Sequence, residues 1–431
     1  MHRRQAIKML GMGVVAGACP RVLMGNAIYE RPEKGSAIYL IPGYHPGYAM
    51  LGGHTLDLHP DFLRGILPGY QGPRTMVTRI KEADQSIKRA VFPLSGHHIS
   101  IDHKRQQAFF SSIDGETMVL FDVDNLELLA LVGPHQTGYV GGGHAVYLPD
   151  DKYIVTTERR HYLPYSGNPK QHYGCITVRD AKTLNVLEAY SCGGINPHDI
   201  ALMADGRHVA VSNYGSTDWP VAGKILPHVV EPSLTIIDLE SGKVVRKIIG
   251  SNRNNEIRHV AAHNMDRIFA IQTRMVESSE SRALLSQGKE VIDVDLASPE
   301  GIFYAPAPLL GLSTTSGNPL IKEIFPKNNL LFRQGQTIIY DPVYDEAIVT
   351  FASGNIIAVI DGKSQRIIKI IRTDHMGLHH PRGVALHPDG IHYAVSGSWR
   401  DIYLFKRGVH ELNRDRCLYT TFYDHSHLSI L

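Results

Sequence analysis

The stretch that decides the fold is Gly143-His144-Ala145-Val146-Tyr147-Leu148-Pro149-Asp150-Asp151-Lys152-Tyr153-Ile154-Val155-Thr156-Thr157. A histidine opens a short alternating strand, Pro-Asp-Asp turns the chain, and a β-rich strand ends in hydroxyl residues. The same phrase starts at His98 (His-Ile-Ser-Ile-Asp-His), at His198 (His-Asp-Ile-Ala-Leu-Met-Ala-Asp-Gly) and at His259 (His-Val-Ala-Ala-His-Asn-Met-Asp). It recurs with other leading residues at Gln336 and at Arg382, where Pro388-Asp389-Gly390 makes the turn. The steps are 46 residues from 98 to 144, 54 from 144 to 198, 61 from 198 to 259 and 46 from 336 to 382. Self-similarity at this period is the signature of a propeller or a solenoid.

After most copies a second hairpin follows, as in Leu234–Ile249 around Glu240-Ser241-Gly242-Lys243, and Ile356–Ile371 around Asp361-Gly362-Lys363-Ser364. Two hairpins make one four-stranded blade. Neighbouring blades bury each other's faces, so the unit is stable only in an array closed on itself. Six copies are countable, and residues 37–95 hold further strand-like runs. The sequence therefore predicts an all-β fold, a single β-propeller of about seven four-stranded blades, six and eight being the neighbouring counts. Pairing of N- and C-terminal strands is expected to close it, since an unpaired edge would template aggregation. The expected segments are 1–28 as signal and junction and 29–431 as one propeller domain.

The 431 residues are 43% hydrophobic and 20% charged, with a formal net charge of +2, so no basic field for nucleic acid is present. The 24 histidines are the one chemical peculiarity. Arg3-Arg4-Gln5-Ala6-Ile7-Lys8 followed by the apolar run Met9–Ala18 resembles a twin-arginine export signal, with Ala16-Gly17-Ala18 as a cleavage site. That places the protein in the periplasm. A lipid anchor on Cys19 is the less favoured reading, because the preceding residues make a poor lipobox. No apolar run is long enough for a membrane span. In an oxidising compartment Cys175 and Cys192, at the two ends of one hairpin, are disulfide candidates, and a slip of one residue would put them on opposite faces. No Cys-x-x-Cys-His exists for haem c, and no nucleotide fingerprint stands in a suitable context.

In a propeller the first strand of each blade lines the central channel, so a residue at one register position recurs on a ring about the axis. His98, His144, His198 and His259 lead four consecutive inner strands. Imidazole is a common ligand of iron, copper and zinc. These four are the expected metal ligands, with Glu158, Asp199 or Glu231 as oxygen donors. Arg258, Arg382 and Glu231 are the expected contacts for a small anionic ligand. His97, His379 and His380 precede inner strands and stand near the same mouth. The competing reading is structural: each ring caps its blade against a loop carbonyl. His103, His263 and His387 fall in turns, where a surface position is the default.

At these residues the chain resembles the twin-arginine-exported bacterial β-propellers of unknown function, distant relatives of the surface-layer "YVTN" propellers. The matching phrases are Gly143-His144-Ala145-Val146 with Val155-Thr156-Thr157-Glu158, Gly194-Ile195-Asn196-Pro197-His198-Asp199, Met203-Ala204-Asp205-Gly206-Arg207, Glu231-Pro232-Ser233-Leu234 and Ile257-Arg258-His259-Val260. The resemblance implies one propeller, periplasmic export and a place beside iron acquisition; it implies no activity. Arg159-Arg160-His161 and Leu226-Pro227-His228-Val229-Val230 depart from the family pattern.

Three functions follow. The first is a periplasmic binding protein for a metal or small ligand, with a periplasmic protein as a further partner. The second is a metal-dependent hydrolase or lactonase. The third is an interaction scaffold with structural histidines. The absence of Gly-x-Ser-x-Gly and His-Glu-x-x-His motifs in a suitable context, and the His-rich rather than acidic site, favour binding over catalysis.

Overall fold

The computed structural model describes residues 37–44, 73–160, 167–221, 224–250, 255–274, 309–313, 320–324, 331–422 and 427–431. The expected signal at 1–28, Cys19 and His161 lie outside the described residues.

The described strands form seven four-stranded antiparallel sheets and one two-stranded ribbon. Blade 1 is Gly96–Asp102, Gln107–Ser112, Met118–Asp122 and Leu128–Val132. Blade 2 is Tyr139–Tyr147, Tyr153–Arg160, Tyr173–Asp180 and Val186–Ile195. Blade 3 is Pro197–Leu202, His208–Asn213, Ser233–Asp238 and Lys243–Ile249. The ribbon Ser216–Val221 with Lys224–Val229 is inserted between its second and third strands. Blade 4 is Asn255–Asn264, Arg267–Arg274, Leu309–Ser313 and Leu320–Glu323. Blade 5 is Gly335–Asp341, Glu346–Phe351, Ile356–Asp361 and Ile367–Arg372. Blade 6 is Val384–Leu386, His392–Ser396, Arg400–Lys406 and Leu418–Thr421. Blade 7 joins the C-terminal Ser429–Ile430 to Ile38–Tyr44, Thr75–Lys81 and Ile87–Phe92.

The turns explain the hairpins. In Ala204-Asp205-Gly206 the carboxylate of Asp205 accepts the amides of Arg207 and His208, both at 2.9 Å, and Gly206 takes φ +67. Asp389 does the same for Ile391 and His392 ahead of the second strand of blade 6, with Gly390 at φ +71. The middle strands, such as Ser233–Asp238 and Glu346–Phe351, are buried on both faces, and their apolar side chains meet between blades. Seven buried clusters result, one at each blade–blade junction. Phe92, Phe110 and Phe121 fill the junction of blades 7 and 1, while Phe269, Phe332 and Phe351 fill that of blades 4 and 5. The first strands pack side by side in cyclic order, with Ser429–Ile430 between the first strands of blades 6 and 1.

Closure is made by the chain ends. Tyr39 pairs with Ile430 and Leu40 with Ser429, and the amides of Ile38 and Leu431 exchange hydrogen bonds at 2.9 Å. A buried ionic cluster holds the junction of blades 6 and 7. Arg416 bonds Glu82 and Asp389, and His387 stands 3.3 Å from Glu82 Oε2 and 3.1 Å from Asp389 Oδ2. His387 was expected on the surface; its turn is instead folded over by the adjoining blade and the ring is buried.

The hairpin of Cys175 and Cys192 shows the slip. Cys175 pairs with Ser191 across a register irregularity, so Cys192 points to the opposite face and both thiols are free. Cys175 Sγ faces His135 Nδ1 at 3.6 Å, and Cys192 donates to Gly194 O at 3.2 Å. Burial pushes both thiols up, Cys192 to about 12. Among the described residues no helix is long and apolar enough to cross a membrane.

Candidate metal centre

The inner strands of blades 1, 2, 3, 5 and 6 can be aligned on their first regular pair. The first regular pairs inside each are Ile99↔Phe110, Ala145↔Thr156, Ile200↔Val211, Ile338↔Val349 and Val384↔Val395. Two residues ahead of that pair stand His97, Gly143, His198, Gln336 and Arg382; one residue ahead stand His98, His144, Asp199, Thr337 and Gly383. In blades 1, 2, 3 and 5 the register shifts at these positions, and blade 4 shifts between Ile257 and His259. Such bulges turn consecutive side chains toward one side, which a regular strand does not allow. The channel is therefore lined by two tiers. His198 was read as equivalent to His98 and His144; it belongs one tier nearer the mouth, and Asp199 is the equivalent of His144.

Five imidazoles meet there. His97 Nε2 lies 3.2 Å from His198 Nε2 and 3.1 Å from His427 Nε2. The ring of His144 is 4.7 Å from that of His198, 4.6 Å from His427 and 5.4 Å from His259, centroid to centroid. The ligand atoms of His97, His144 and His198 fall within 4.8 Å of one another, as do those of His97, His259 and His427, and those of His144, Asp199 and His259.

The far nitrogens show which atoms face inward. His198 Nδ1 donates to the carbonyl of Gly142 at 2.6 Å, so its Nε2 carries a lone pair. His144 Nδ1 donates to Asp199 Oδ1 at 2.9 Å, and its buried Nε2 has no hydrogen-bond partner. His259 Nδ1 stands 3.6 Å from Asp199 Oδ2. Asp199 also accepts the amides of Ile200 and Val260, at 2.8 and 2.9 Å. Its lone pairs are thus used in orienting imidazoles, the usual task of a carboxylate behind a metal-bound histidine. Burial and the neighbouring His144 hold His198 and His427 well below the ordinary imidazole value, and burial lowers His98, to about 3, and His259. Burial would raise the carboxyl of Asp199, but its contacts with His144 and His259 hold it well below the carboxylate range. Neutral rings are the ligand form.

These features fit a transition-metal ion. Lone pairs 3.1–3.2 Å apart repel unless a proton or a cation lies between them. Metal–nitrogen bonds of about 2.0–2.1 Å put neighbouring ligand nitrogens about 2.9–3.4 Å apart for angles between a right angle and the tetrahedral one. Gly143 makes room for the rings. Its φ is +115, and a Cβ there would lie 2.8 Å from His198 Cε1 and 3.0 Å from His97 Cδ2.

Of the expected residues, His144, His198 and His259 come together with Asp199. His98 stacks on His144 at 4.7 Å, and its Nδ1 faces Ser100 Oγ at 3.3 Å, outside the ligand sets. Arg258 lies over Tyr214, whose ring packs against His198, and it pairs with Glu256. Arg382 donates to Ser398 Oγ at 2.7 Å and Gln336 Oε1 at 3.4 Å. Glu231 is not brought to the imidazoles; it accepts from Tyr173 at 3.0 Å and from Lys247. His380 packs on Trp399 instead. Glu158 forms a separate group with His135 and Cys175. There Oε2 accepts His135 N and Nδ1 at 2.9 and 2.6 Å, and Oε1 accepts Thr177 and Arg179 at 3.0 and 2.8 Å, which leaves it little to offer a cation.

Two of the converging imidazoles fall outside the four expected ligands: His97, which the sequence places near the mouth, and His427. The signal for His427 is His427-Leu428-Ser429-Ile430, which repeats His98-Ile99-Ser100-Ile101. Ser429 Oγ donates to Ile99 O as Ser100 Oγ donates to Ala145 O, both at 2.6 Å, one blade apart.

Comparison with known proteins agrees with the fold. The family model that fits is described as "Protein of unknown function (DUF1513)". It matches residues 91–301, which hold His97, His144, His198, Asp199 and His259 and omit His427, Gln336 and Arg382. Among solved structures the chain is similar to Kuenenia stuttgartiensis hydrazine synthase, with a TM-score of 0.52 and 13% identity over 87% of this chain and 99% of that one. At that identity the likeness is one of fold. Among curated proteins, GTP cyclohydrolase 1 of Methylococcus capsulatus is 26% identical over 121 residues, 28% of this chain and 60% of that enzyme. The chain thus spans about three fifths of that relative's length.

Proposed function

We propose that this protein is an exported transition-metal-binding propeller that holds one iron, copper or zinc ion at the mouth of its channel. The ligands are drawn from His97, His144, His198, His259 and His427, which fall into overlapping sets of three, and Asp199 orients two of them. The observation that carries this reading is the convergence of imidazoles among which His198 and His144 have their Nδ1 engaged while the buried Nε2 of His144 has no partner. Neutral nitrogen donors suit borderline cations over calcium or magnesium, which take oxygen. Export rests on the order of Arg3-Arg4, the apolar run to Ala18 and the small-residue site.

The test is elemental analysis of untagged protein, as purified and after chelation and reloading. The expected result is one transition-metal ion per chain, with His144→Ala and His198→Ala each lowering affinity at least tenfold without loss of the cooperative unfolding transition. Full-length protein that takes up no metal from any of the three salts, or double variants that keep full stoichiometry and affinity, ends the reading.

A further inference from the structure

The ring is not symmetric in chemistry. Blades 7, 1, 2, 3 and 4 contribute imidazoles through His427, His97, His144, His198 and His259. Among the described residues, blades 5 and 6 contribute none. At the register positions that carry His97 and His198 they present Gln336 and Arg382, and one residue on they present Thr337 and Gly383. These residues are tied to each other and to the imidazoles. Arg382 Nη1 donates to Gln336 Oε1, and Thr337 Oγ1 is 3.5 Å from His427 Nδ1. Thr350 of blade 5 donates to the carbonyl of Arg382, fixing its backbone to the neighbouring blade.

Charge points the same way. Neutral imidazole ligands leave a divalent ion its full charge. Among the described residues, Asp199 is the single carboxylate grouped with the channel imidazoles. A cation held by neutral donors in a buried site draws an anion to its remaining coordination position. A guanidinium makes strong, charge-assisted hydrogen bonds to a carboxylate oxygen.

Resting on the metal reading above, we propose that the metal's external ligand is a small carboxylate, bound on the side of blades 5 and 6 with Arg382 and Gln336 holding its second oxygen. One oxygen occupies a metal position that the imidazoles leave, and the other faces the Arg382 guanidinium and the Gln336 amide.

The experiment uses the full chain reloaded with Co(II), whose visible bands report a change of ligand, and formate as the probe. Cobalt stoichiometry is measured separately by elemental analysis. Formate is expected to shift the bands of the wild type saturably and to bind metal-free protein at least tenfold more weakly. Arg382→Met should keep one cobalt per chain and weaken formate at least tenfold, Arg382→Lys should recover part of that loss, and Gln336→Leu should weaken it about threefold. If Arg382→Met does not fold, Gln336→Leu and Arg382→Lys decide. Cobalt uptake with no response to formate, or a response unchanged in these variants, overturns the carboxylate site and leaves the metal centre standing. Failure to take up cobalt overturns the carboxylate site, and failure to take up iron, copper and zinc as well overturns both.

Discussion

Gly143 is where backbone and site meet most tightly. Its φ of +115 is a conformation in which side chains are rare, and the space a Cβ would fill belongs to His198 and His97. Gly143→Ala should therefore act twice. The strained backbone costs about 1–3 kcal/mol of folding stability, read as a lower urea midpoint. The displaced rings should weaken metal binding by more than that strain explains. A variant that unfolds earlier yet binds metal as tightly as wild type would mean that the rings do not need this space. The glycine was legible as part of the repeated phrase, but its reason was not. Nothing in Gly141-Gly142-Gly143 says which glycine lies beneath two imidazoles from other blades.

The inner strand is the element on which legibility turned. Its hydrophobic alternation and its turn residues are local, so the repeat and the boundaries of blades 1, 3, 5 and 6 could be read directly. The bulge at its start is not local: it is set by pairing with the second strand, and it decides that His97 and His144 face the same cluster although they are not equivalent by position. The same kind of slip separates Cys175 from Cys192. His427 escaped for a different physical reason. Its strand, Ser429–Ile430, finds its pairing partner at Ile38–Tyr44, so the phrase is cut by the chain ends and its second half comes first in the sequence. Two variants separate the roles of this element. Deleting residues 427–431 should leave Ile38–Tyr44 as an open inner edge, abolish the single cooperative transition and promote association, seen as heterogeneous species in size-exclusion chromatography. His427→Ala keeps the strand, so the ring should stay closed while metal affinity falls at least tenfold. If the point variant opens the ring as the deletion does, His427 is a structural residue and its place among the ligands is lost.

The closed ring makes opposite demands of its histidines, and pH resolves them. His98, His198, His259 and His427 are lowered from 6.5 in the folded chain, chiefly by burial. The unfolded chain therefore binds more protons than the folded one below pH 6.5, and stability must fall as pH drops through that range toward the folded values. His387 at the closing junction behaves in the reverse sense. Asp389 and Glu82 raise its value against the opposing effect of burial, so its contribution is fully present below pH 6.5 and is lost as pH rises through its folded value. The carboxylates Asp199, Asp389 and Glu82 are lowered from 3.8 or 4.5 and lose their contribution only as the solution becomes more acid than that. Between pH 7 and 5 four histidines thus oppose one. Metal-free protein should be less stable at pH 5 than at pH 7, with a slope steeper than the roughly 1.4 kcal/mol per pH unit that one fully shifted group can give. His387→Ala should steepen the decline and His198→Ala should flatten it. Metal sharpens the contrast, because protons compete with the ion for the same nitrogens and a bound ion stabilises only the folded ring. Metal-loaded protein should therefore gain most over metal-free protein near pH 7 and little at pH 5. Urea titrations at both pH values, with and without one equivalent of metal, measure all of this. A ring that grows more stable on acidification would place those four imidazoles in water, and no cation site could then be built from them.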